Sequence, residues 1–540
     1  MAGTDGWLAL INGSIMTMDE REPEAQAVLA HGESIVMIGQ NDTVKAEAPA
    51  GATVVDLAGR TVTPGLIDSH LHLFRYGETL AQVDLGGTRT LDDFLQRLAR
   101  DVAARPAGAW VSGRGWDQDR LAERRYPTRH DLDRVTAEHP VLLIRVCGHA
   151  AVANSMALRM AGVNAATADP PGGQIDRDPQ TGEPTGVLRE RATDLVRRHI
   201  PEDDFATRKQ ALKGGIERAL AAGLTGVHSQ DVWEEGDFDQ IRRLYGTLRR
   251  EGTALRVFEL VGVNDMASVR AEGLRTGDGD PYFKVGPIKV FADGSLGAST
   301  AALIDPYSDG DQSGLLIYPE EQLTALIAEA HDAGFQVAVH AIGDRGAELT
   351  LAGFARAQQR HRRCDPRHRL VHCQIMQPEQ WARMREPGVI GDIQPKFVTS
   401  DLHWTDDRVG PQRARHAYAW RSLLAAGVHA AGGSDAPVEP IEPMQGIYAA
   451  VTRSDLDGCP AGGWHPEQCL AVTAALHLFT RGAAYAAFEE DHKGMVAPGY
   501  LADLVVWPQD PRRLPPADLK DLRPDLTILG GRIAYRRTGG

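Results

Sequence analysis

The chain has 540 residues, a formal net charge of −15 at pH 7 and five cysteines. This length is enough to bury a large core, and the acidic balance argues against a nucleic-acid partner. The odd number of cysteines, without a C-x-x-C pair, favours reduced thiols in a cytoplasmic protein over a disulfide scaffold. The N-terminal residues predict no signal peptide, and no apolar run approaches the roughly 20 residues that span a membrane.

Short strands separated by Gly and Asn turns are predicted at both ends of the chain. They are residues 7–19, 34–40, 53–63, 502–508 and 526–537. Gly530-Gly531 predicts a hairpin turn within the last of these segments. Because neither end can form a stable sheet alone, each needs a partner elsewhere in the chain.

The run TVTPGLIDSHLHLF (61–74) ends in the pair His70 and His72 on a short apolar strand. Alternate side chains of a strand share a face, so both imidazoles can bind one metal ion while Leu71 points the other way. The alternative is a chance pairing in a chain with 19 histidines. The apolar strand that begins after Pro64-Gly65 favours the metal site.

A segment of about 150 residues, 75–223, separates this strand from the next and is far longer than a usual connection. It predicts an inserted subdomain with a helix near 90–104, a strand at 140–149, a helix near 152–161 and a Gly-rich stretch at 170–186. We interpret the insertion as a cap that shapes the substrate pocket.

Seven further apolar segments predict strands. They are residues 224–231, 255–262, 285–295, 335–344, 369–374, 389–395 and 427–437. Helical segments separate them, such as 320–334, whose apolar residues recur at helical spacing. With the His70 strand this makes eight strands alternating with helices, which predicts an α/β fold of the (β/α)8 or TIM barrel type. The active site of such a barrel lies at the carboxyl ends of the strands.

Polar residues occupy several of these strand ends. Lys289 lies within an apolar strand, where an ammonium is costly to bury unless its pKa falls, it finds a partner or it is chemically modified. His340 and His372 end the next two strands, and Asp435 follows small residues after the eighth. All four would meet the first histidine pair at one end of the barrel.

This ligand pattern resembles that of the amidohydrolase superfamily of metal-dependent hydrolases. The segments IKVFADGSLGAST (288–300), VHAIGD (339–344) and GSDAPV (433–438) are similar to the branch that holds YtcJ-like proteins and N-substituted formamide deformylases. The resemblance covers nearly the whole chain.

The resemblance implies a domain plan. Residues 1–62 and 491–540 would pair into a small β-sandwich, and residues 63–490 would form the barrel, with the insertion at 75–223 after strand 1. Two segments of the insertion, GRGWDQDR and CGHAAVANSMAL, are similar to recurrent family segments, which makes Trp116 and His149 candidate substrate-binding residues. The alternatives are that Trp116 packs the core of the insertion and that His149 caps the following helix.

The resemblance also implies roles for the ligands. His70, His72 and Asp435 would bind the more buried metal, usually zinc, and Asp435 would be the general base. His340 and His372 would hold a second metal ion, and a carbamylated Lys289 would bridge the two. Whether one or two divalent ions bind stays open.

Three other residues are candidates for substrate contact: His228 after strand 2, Gln394 in strand 7 and Trp404 nearby. For His228, packing or support of a ligand is an equal alternative.

These features predict a metal-dependent amidohydrolase that cleaves a non-peptide C–N bond, of an N-formyl or N-acyl amide, with a metal-activated hydroxide. A cyclic amide, a carbamate or an ester is an alternative substrate for the same site. A non-enzymatic regulator or sensor on the same barrel is the alternative of another class, because fold alone does not decide function. The expected partner is a small-molecule substrate, and no nucleic acid or membrane is expected to bind. Whether the chain forms a homo-oligomer is not decided by the sequence.

Overall fold

A computed structural model describes residues 6–145, 150–201, 203–232, 237–385 and 388–538. The chain divides into two compact units, one made of Met1–Arg75 with Gly215–Gly540 and the other of Tyr76–Gly214. The second unit corresponds to the insertion predicted after the first barrel strand. None of the described helices is both long and apolar enough to cross a bilayer.

The first unit opens with short strands, as the sequence predicts. They are β1 (Trp7–Ile11), β2 (Ser14–Met16), β3 (Glu24–Ala25), β4 (Ala27–His31), β5 (Ser34–Gly39), β6 (Thr53–Asp56) and β7 (Thr61–Pro64), with helix α1 (Asn41–Glu47) after β5. One sheet has the order β5-β4-β1-β6. The first barrel strand, β8 (Leu66–Leu71), and helix α2 (Leu73–Leu80) follow.

The second unit has its own mixed sheet, in the order β13-β14-β12-β11-β10-β9. Its strands are β9 (Val83–Asp84), β10 (Val111–Trp116), β11 (Val141–Arg145), β12 (Ala150–Ala153), β13 (Gly173–Arg177) and β14 (Pro184–Glu190). Its helices are α3 (Leu91–Ala103), α4 (Arg129–Asp133), α5 (Ser155–Met160) and α6 (Asp194–Arg197), and α7 (Phe205–Ala221) returns to the first unit. The helix predicted near 90–104 is confirmed as α3, which begins after Thr90 because this side chain accepts a hydrogen bond from the backbone of Asp93.

Parallel strands and helices alternate through the rest of the first unit. The strands are β15 (Leu224–Ser229), β16 (Arg256–Gly262), β17 (Gly279–Asp280), β18 (Phe283–Phe291), β19 (Val337–Ala341), β20 (Arg369–His372), β21 (Ile390–Ile393) and β22 (Ala430–Gly432). The helices are α8 (Asp237–Arg250), α9 (Met266–Ala271), α10 (Glu320–Asp332), α11 (Asp344–Arg360), α12 (Pro378–Arg385), α13 (Val398–Asp401), α14 (Thr405–Ala414), α15 (Trp420–Ala425), α16 (Pro443–Thr452), α17 (Val472–His477) and α18 (Ala483–Ala486). Short β17 pairs only with β18, as an antiparallel addition.

Apart from β17, the strands just named form the barrel together with β8, in the order β22-β21-β20-β19-β18-β16-β15-β8. These are the eight predicted strands, so the (β/α)8 fold is confirmed. Backbone hydrogen bonds link the two outer strands at their carboxyl ends, from Asp435 N–H to His70 O over 2.7 Å and from His72 N–H to Ala436 O over 2.8 Å. The barrel therefore closes at the residues predicted to bind metal.

The chain ends with β23 (Leu504–Trp507), β24 (Leu526–Leu529) and β25 (Arg532–Arg536). These strands join N-terminal ones in a sheet of order β25-β24-β23-β7-β2-β3, and this sheet and the β5-β4-β1-β6 sheet share one core. The β-sandwich built from both termini is thereby confirmed. Gly530 and Gly531 both have positive φ, 55° and 71°, which suits the turn of the predicted hairpin.

A buried ion pair ties the start of β16 to the C-terminal segment. Arg256 is almost fully buried and donates to both carboxylate oxygens of Asp503, over 2.6 and 3.2 Å, and to Glu33. Removing one partner of a buried pair is costly, so we expect Asp503→Ala to lower the free energy of unfolding by about 3–5 kcal/mol. Urea denaturation measures this effect. In the control, Asp239→Ala removes the exposed partner of Arg242 and should cost less than about 1 kcal/mol; equal costs would contradict the prediction.

Candidate metal centre

The barrel brings all six predicted ligands together at the carboxyl ends of its strands. His70, Lys289, His340 and His372 lie on β8, β18, β19 and β20, and His72 and Asp435 follow β8 and β22. The imidazole centroids of His340 and His372 are 4.4 Å apart, and that of His70 lies 5.5 Å from His72 and 5.6 Å from His372. Residues separated by up to 365 positions along the chain therefore form one compact cluster.

The Asp435 carboxylate lies between the two histidines of the first strand. Its Oδ1 is 3.1 Å from Nε2 of His72 and 3.6 Å from Nε2 of His70, and all three residues are buried. Two ligands bound to zinc at about 2.1 Å in tetrahedral geometry lie about 3.4 Å apart. The donor atoms and their spacing therefore fit a divalent metal ion.

Hydrogen bonds hold the other ring nitrogens and so fix which nitrogen is free. His72 donates from Nδ1 to the carbonyl of Gln230 over 2.8 Å, and His340 donates from Nε2 to the carbonyl of Gly294 over 3.0 Å. The Oε1 of Gln394 lies 2.7 Å from Nδ1 of His372 and accepts a hydrogen bond from it. Lone pairs remain at Nε2 of His72, Nδ1 of His340 and Nε2 of His372, which are the atoms available to metal.

Burial favours the neutral forms of these bases. It lowers the pKa of His70 and His340 well below the ordinary histidine value and that of His372 to about 4. Burial also lowers the pKa of Lys289 to about 8, and the Nζ of this lysine lies 3.0 Å from Nε2 of His70. The imidazoles of His70, His340 and His372 are thus unprotonated at neutral pH, as metal ligands must be.

The pKa of Asp435 is lowered as well, although its side chain is buried. Burial acts to raise it, but the nearby basic groups of His72, His372 and Lys289 outweigh burial, so the pKa falls below the ordinary carboxyl value. This carboxylate is ionised at neutral pH and has the charge needed of both a ligand and a proton acceptor.

The backbone is strained at two of the predicted ligands. His372 has φ of 81° and Asp435 has φ of 60°, a left-handed conformation that costs free energy in residues with a Cβ. Next to Asp435, a Cβ on Gly433 would lie 2.6 Å from the backbone nitrogen of His70, so the strand contact requires glycine there. The buried Asp68 carboxylate accepts from the amides of His70 and Ser434 and holds the two strands together.

The structure places three of the five candidate substrate-binding residues away from that role. Trp116 is fully buried in the core of the second unit and its Nε1 donates to the carbonyl of Leu143, so the packing alternative describes it. His228 is buried and bonded to Arg369, in a supporting position. Gln394 is buried and its side chain is hydrogen-bonded to His372, so it orients this predicted ligand.

The other two candidates remain as predictions. His149 lies outside the described residues. Trp404 is half-buried, and a Cβ on Gly297 would be 3.8 Å from its ring. Trp404 thus borders the loop after β18, which includes the Gly294 carbonyl that holds His340.

The sequence did not identify the groups that orient the predicted ligands through hydrogen bonds. Two are backbone carbonyls, those of Gln230 and Gly294. A third is Asp293, whose buried carboxylate accepts hydrogen bonds from the amides of Ala302, Ile342 and Gly343 and so fixes the loop next to Gly294. The polar Asp-Gly step that ends β18 is a signal that could have identified Asp293.

Removing the partner of His372 should weaken metal binding. We expect Gln394→Met to lower the metal affinity by roughly 10- to 100-fold, because His372 loses the bond that fixes its ring. Competition with a fluorescent chelator measures the affinity. Gln358→Met is the control and should leave the affinity unchanged, because Gln358 lies on α11 and donates to the backbone carbonyl of Arg363. An unchanged affinity in Gln394→Met would show that β20 alone orients His372.

A (β/α)8 barrel with buried histidines and a carboxylate at the carboxyl ends of its strands is the architecture of a metal-dependent hydrolase. The comparison with protein families agrees, since the model of the amidohydrolase family matches residues 53–535. The chain belongs to the amidohydrolase family.

Individual relatives extend over nearly the whole chain. It is 37% identical to the putative amidohydrolase YtcJ of Bacillus subtilis, over 97% of this chain and 99% of the relative. It is 30% identical to the N-substituted formamide deformylase of Arthrobacter pascens, over 98% of this chain and 99% of the relative. A crystal structure of an uncharacterised metal-dependent hydrolase of Pyrococcus furiosus matches with 31% identity and a TM-score of 0.77, over 94% of this chain and 100% of that one.

Proposed function

We propose that the protein hydrolyses a non-peptide carbon–nitrogen bond, that of an N-formyl or N-acyl amide, with zinc as its metal. The observation that carries the proposal is the position of Asp435, whose ionised Oδ1 lies within 3.6 Å of Nε2 of both His70 and His72. A regulator has no need of a strained, buried carboxylate at this point. The likeness to an N-substituted formamide deformylase supports an amide as substrate.

The chemistry follows from the residues of the cluster. His70, His72 and Asp435 would hold one divalent ion, and His340 and His372 would hold a second. When bound, the metal would act as a Lewis acid that lowers the pKa of water and polarises the scissile carbonyl. Asp435 accepts a proton from the water that attacks the carbonyl carbon. When the C–N bond breaks, the same carboxyl group delivers the proton to the leaving nitrogen.

Lys289 is proposed to act as a carboxylated ligand. Its buried amine, with a pKa of about 8, is partly neutral near pH 7–8 and is then able to react with carbon dioxide to give a carbamate. We expect Lys289→Ala to lower the metal content, measured by elemental analysis, and short carboxylic acids to restore part of it. Lys284→Ala, at the opposite end of β18, is the control. Full metal content in Lys289→Ala would contradict the bridging role.

The function is tested by assaying zinc-loaded protein against formamides, acyl amides, hydantoins and esters. Release of an amine from the linear amides, abolished in Asp435→Asn, is the expected result. Turnover of only the hydantoins or esters would move the substrate to the cyclic-amide or ester class. No turnover of any substrate by fully metallated protein would favour the regulator.

A further inference from the structure

Two aromatic rings flank the histidines of the candidate metal centre. The Phe291 ring centroid is 5.2 Å from that of His340, and the Phe397 ring centroid is 6.2 Å from that of His372. Neither residue is a ligand or a proton carrier. Both are only half-buried, whereas Val290 and Ala292, the neighbours of Phe291, are fully buried.

Their places in the fold direct both rings to the cluster. Phe291 is two residues after Lys289 on β18, so the two side chains share a face of the strand. Phe397 ends the one-turn 3-10 helix Pro395–Phe397 that follows Gln394, the partner of His372. The two rings thus lie at the carboxyl ends of barrel strands β18 and β21, beside the atoms at which the reaction would occur.

Further apolar surface continues from the Phe291 strand. Leu316 forms an antiparallel bridge with Asp293, which places its side chain on the same face as that of Asp293. Leu316 is 36% exposed, and its neighbours Leu315 and Ile317 are 64% and 53% exposed. These three residues add exposed apolar surface beside the segment that carries Phe291.

The cations at these strand ends already have protein partners. Lys289 contacts His70, and the buried Lys396 donates to Thr399 and Glu439. A substrate with a carboxylate beside the scissile bond would have to compete with these contacts, whereas an apolar group would meet the faces of Phe291 and Phe397.

Resting on the proposed function, we infer that Phe291 and Phe397 form an apolar clamp that binds an aromatic or branched alkyl substituent of the substrate, next to the amide that is cleaved. Phe397 is the better residue for a test, because the centroid of the Phe291 ring also lies 4.9 Å from Nζ of Lys289, a proposed metal ligand.

The test compares three formamides that differ only in the nitrogen substituent: N-(2-phenylethyl)formamide, N-methylformamide and N-formylglycine. The wild type should show the highest kcat/KM for the phenylethyl compound. In Phe397→Ala this value should fall about 10- to 100-fold, as expected for the loss of an apolar contact, while the value for N-methylformamide changes less than about threefold. Phe397→Leu should recover part of the loss, and Phe488→Ala, an exposed ring over Arg367, should behave as the wild type.

Three results would overturn the clamp: equal losses for the phenylethyl and methyl compounds, a wild-type preference for N-formylglycine, or loss of metal from Phe397→Ala in proportion to its loss of activity. Calorimetric binding of the same compounds separates this inference from the proposed function. If the wild type cleaves none of them but binds the phenylethyl compound at least tenfold more tightly than the methyl one, and Phe397→Ala abolishes the difference, the clamp stands and the proposed reaction fails. Equal or absent binding removes the clamp.

Discussion

Asp435→Asn is expected to lower kcat by about 100- to 10,000-fold, the usual contribution of a general base. The amide has nearly the same shape as the carboxylate and still reaches His70 and His72, but it no longer accepts a proton. Steady-state kinetics on the best substrate of the screen measure the effect. Because the change removes a step of the reaction, kcat should fall more than KM changes.

The control for this substitution is Asp332→Asn, a carboxylate paired with Arg360 at the end of α10; its kcat should equal that of the wild type. The metal content and melting temperature of Asp435→Asn must be measured as well, since loss of metal would also abolish turnover. Near-normal turnover with metal bound would assign the base to another residue. In the wild type, kcat/KM should fall toward acid as carboxylate and ligands become protonated.

The barrel could be predicted because its strands are distinct in the sequence. Each is a short apolar run, and most end in a residue that is costly to bury, such as Lys289 or His340. Even β22, with three residues, was identifiable from the Asp435 that follows it. The second unit was harder. The Gly-rich stretch at 170–186 contains all of strand β13 and the start of β14, which pair as an antiparallel hairpin. Because β13 (GQIDR) has a single apolar residue, no hydrophobic pattern marks it as a strand.

The site was predictable for the same reason, but only up to the ligands. Histidine, lysine and aspartate are rare enough at strand ends to be informative, whereas every residue has a carbonyl, so nothing marked Gln230 or Gly294 as partners of His72 and His340. The sequence places the polar Gln394 at a strand end. It does not show whether the amide faces the substrate or His372, because His372 lies on the neighbouring strand β20. Trp116 shows the same limit, because an aromatic residue suits a pocket and a core equally.

Chelation of the metal is expected to abolish activity and to lower the melting temperature. An ion bound by the folded protein alone, at about 1,000 times its dissociation constant, stabilises it by about 4 kcal/mol. The metal-free protein would keep the buried Asp435 carboxylate among neutral imidazoles, without the charge that best compensates it. Differential scanning calorimetry before and after chelation, with zinc added back, measures the shift and its reversal. Active protein with far less than one metal ion per chain would refute this prediction.

Acid provides a second way to remove the metal, and the pKa shifts set its pH range. Protons compete with the ion for the imidazole lone pairs, and an ordinary histidine, with a pKa of about 6.5, is mostly protonated at pH 5.5. Burial lowers the pKa of His372 to about 4, so this ring stays neutral at pH 5.5, and it lowers the pKa of His70 and His340 well below the ordinary value. The protein dialysed at pH 5.5 should therefore retain its metal and lose it only nearer pH 4. Metal loss centred near pH 6.5, seen by elemental analysis across a pH series, would mean that the ligands are solvated like ordinary surface histidines.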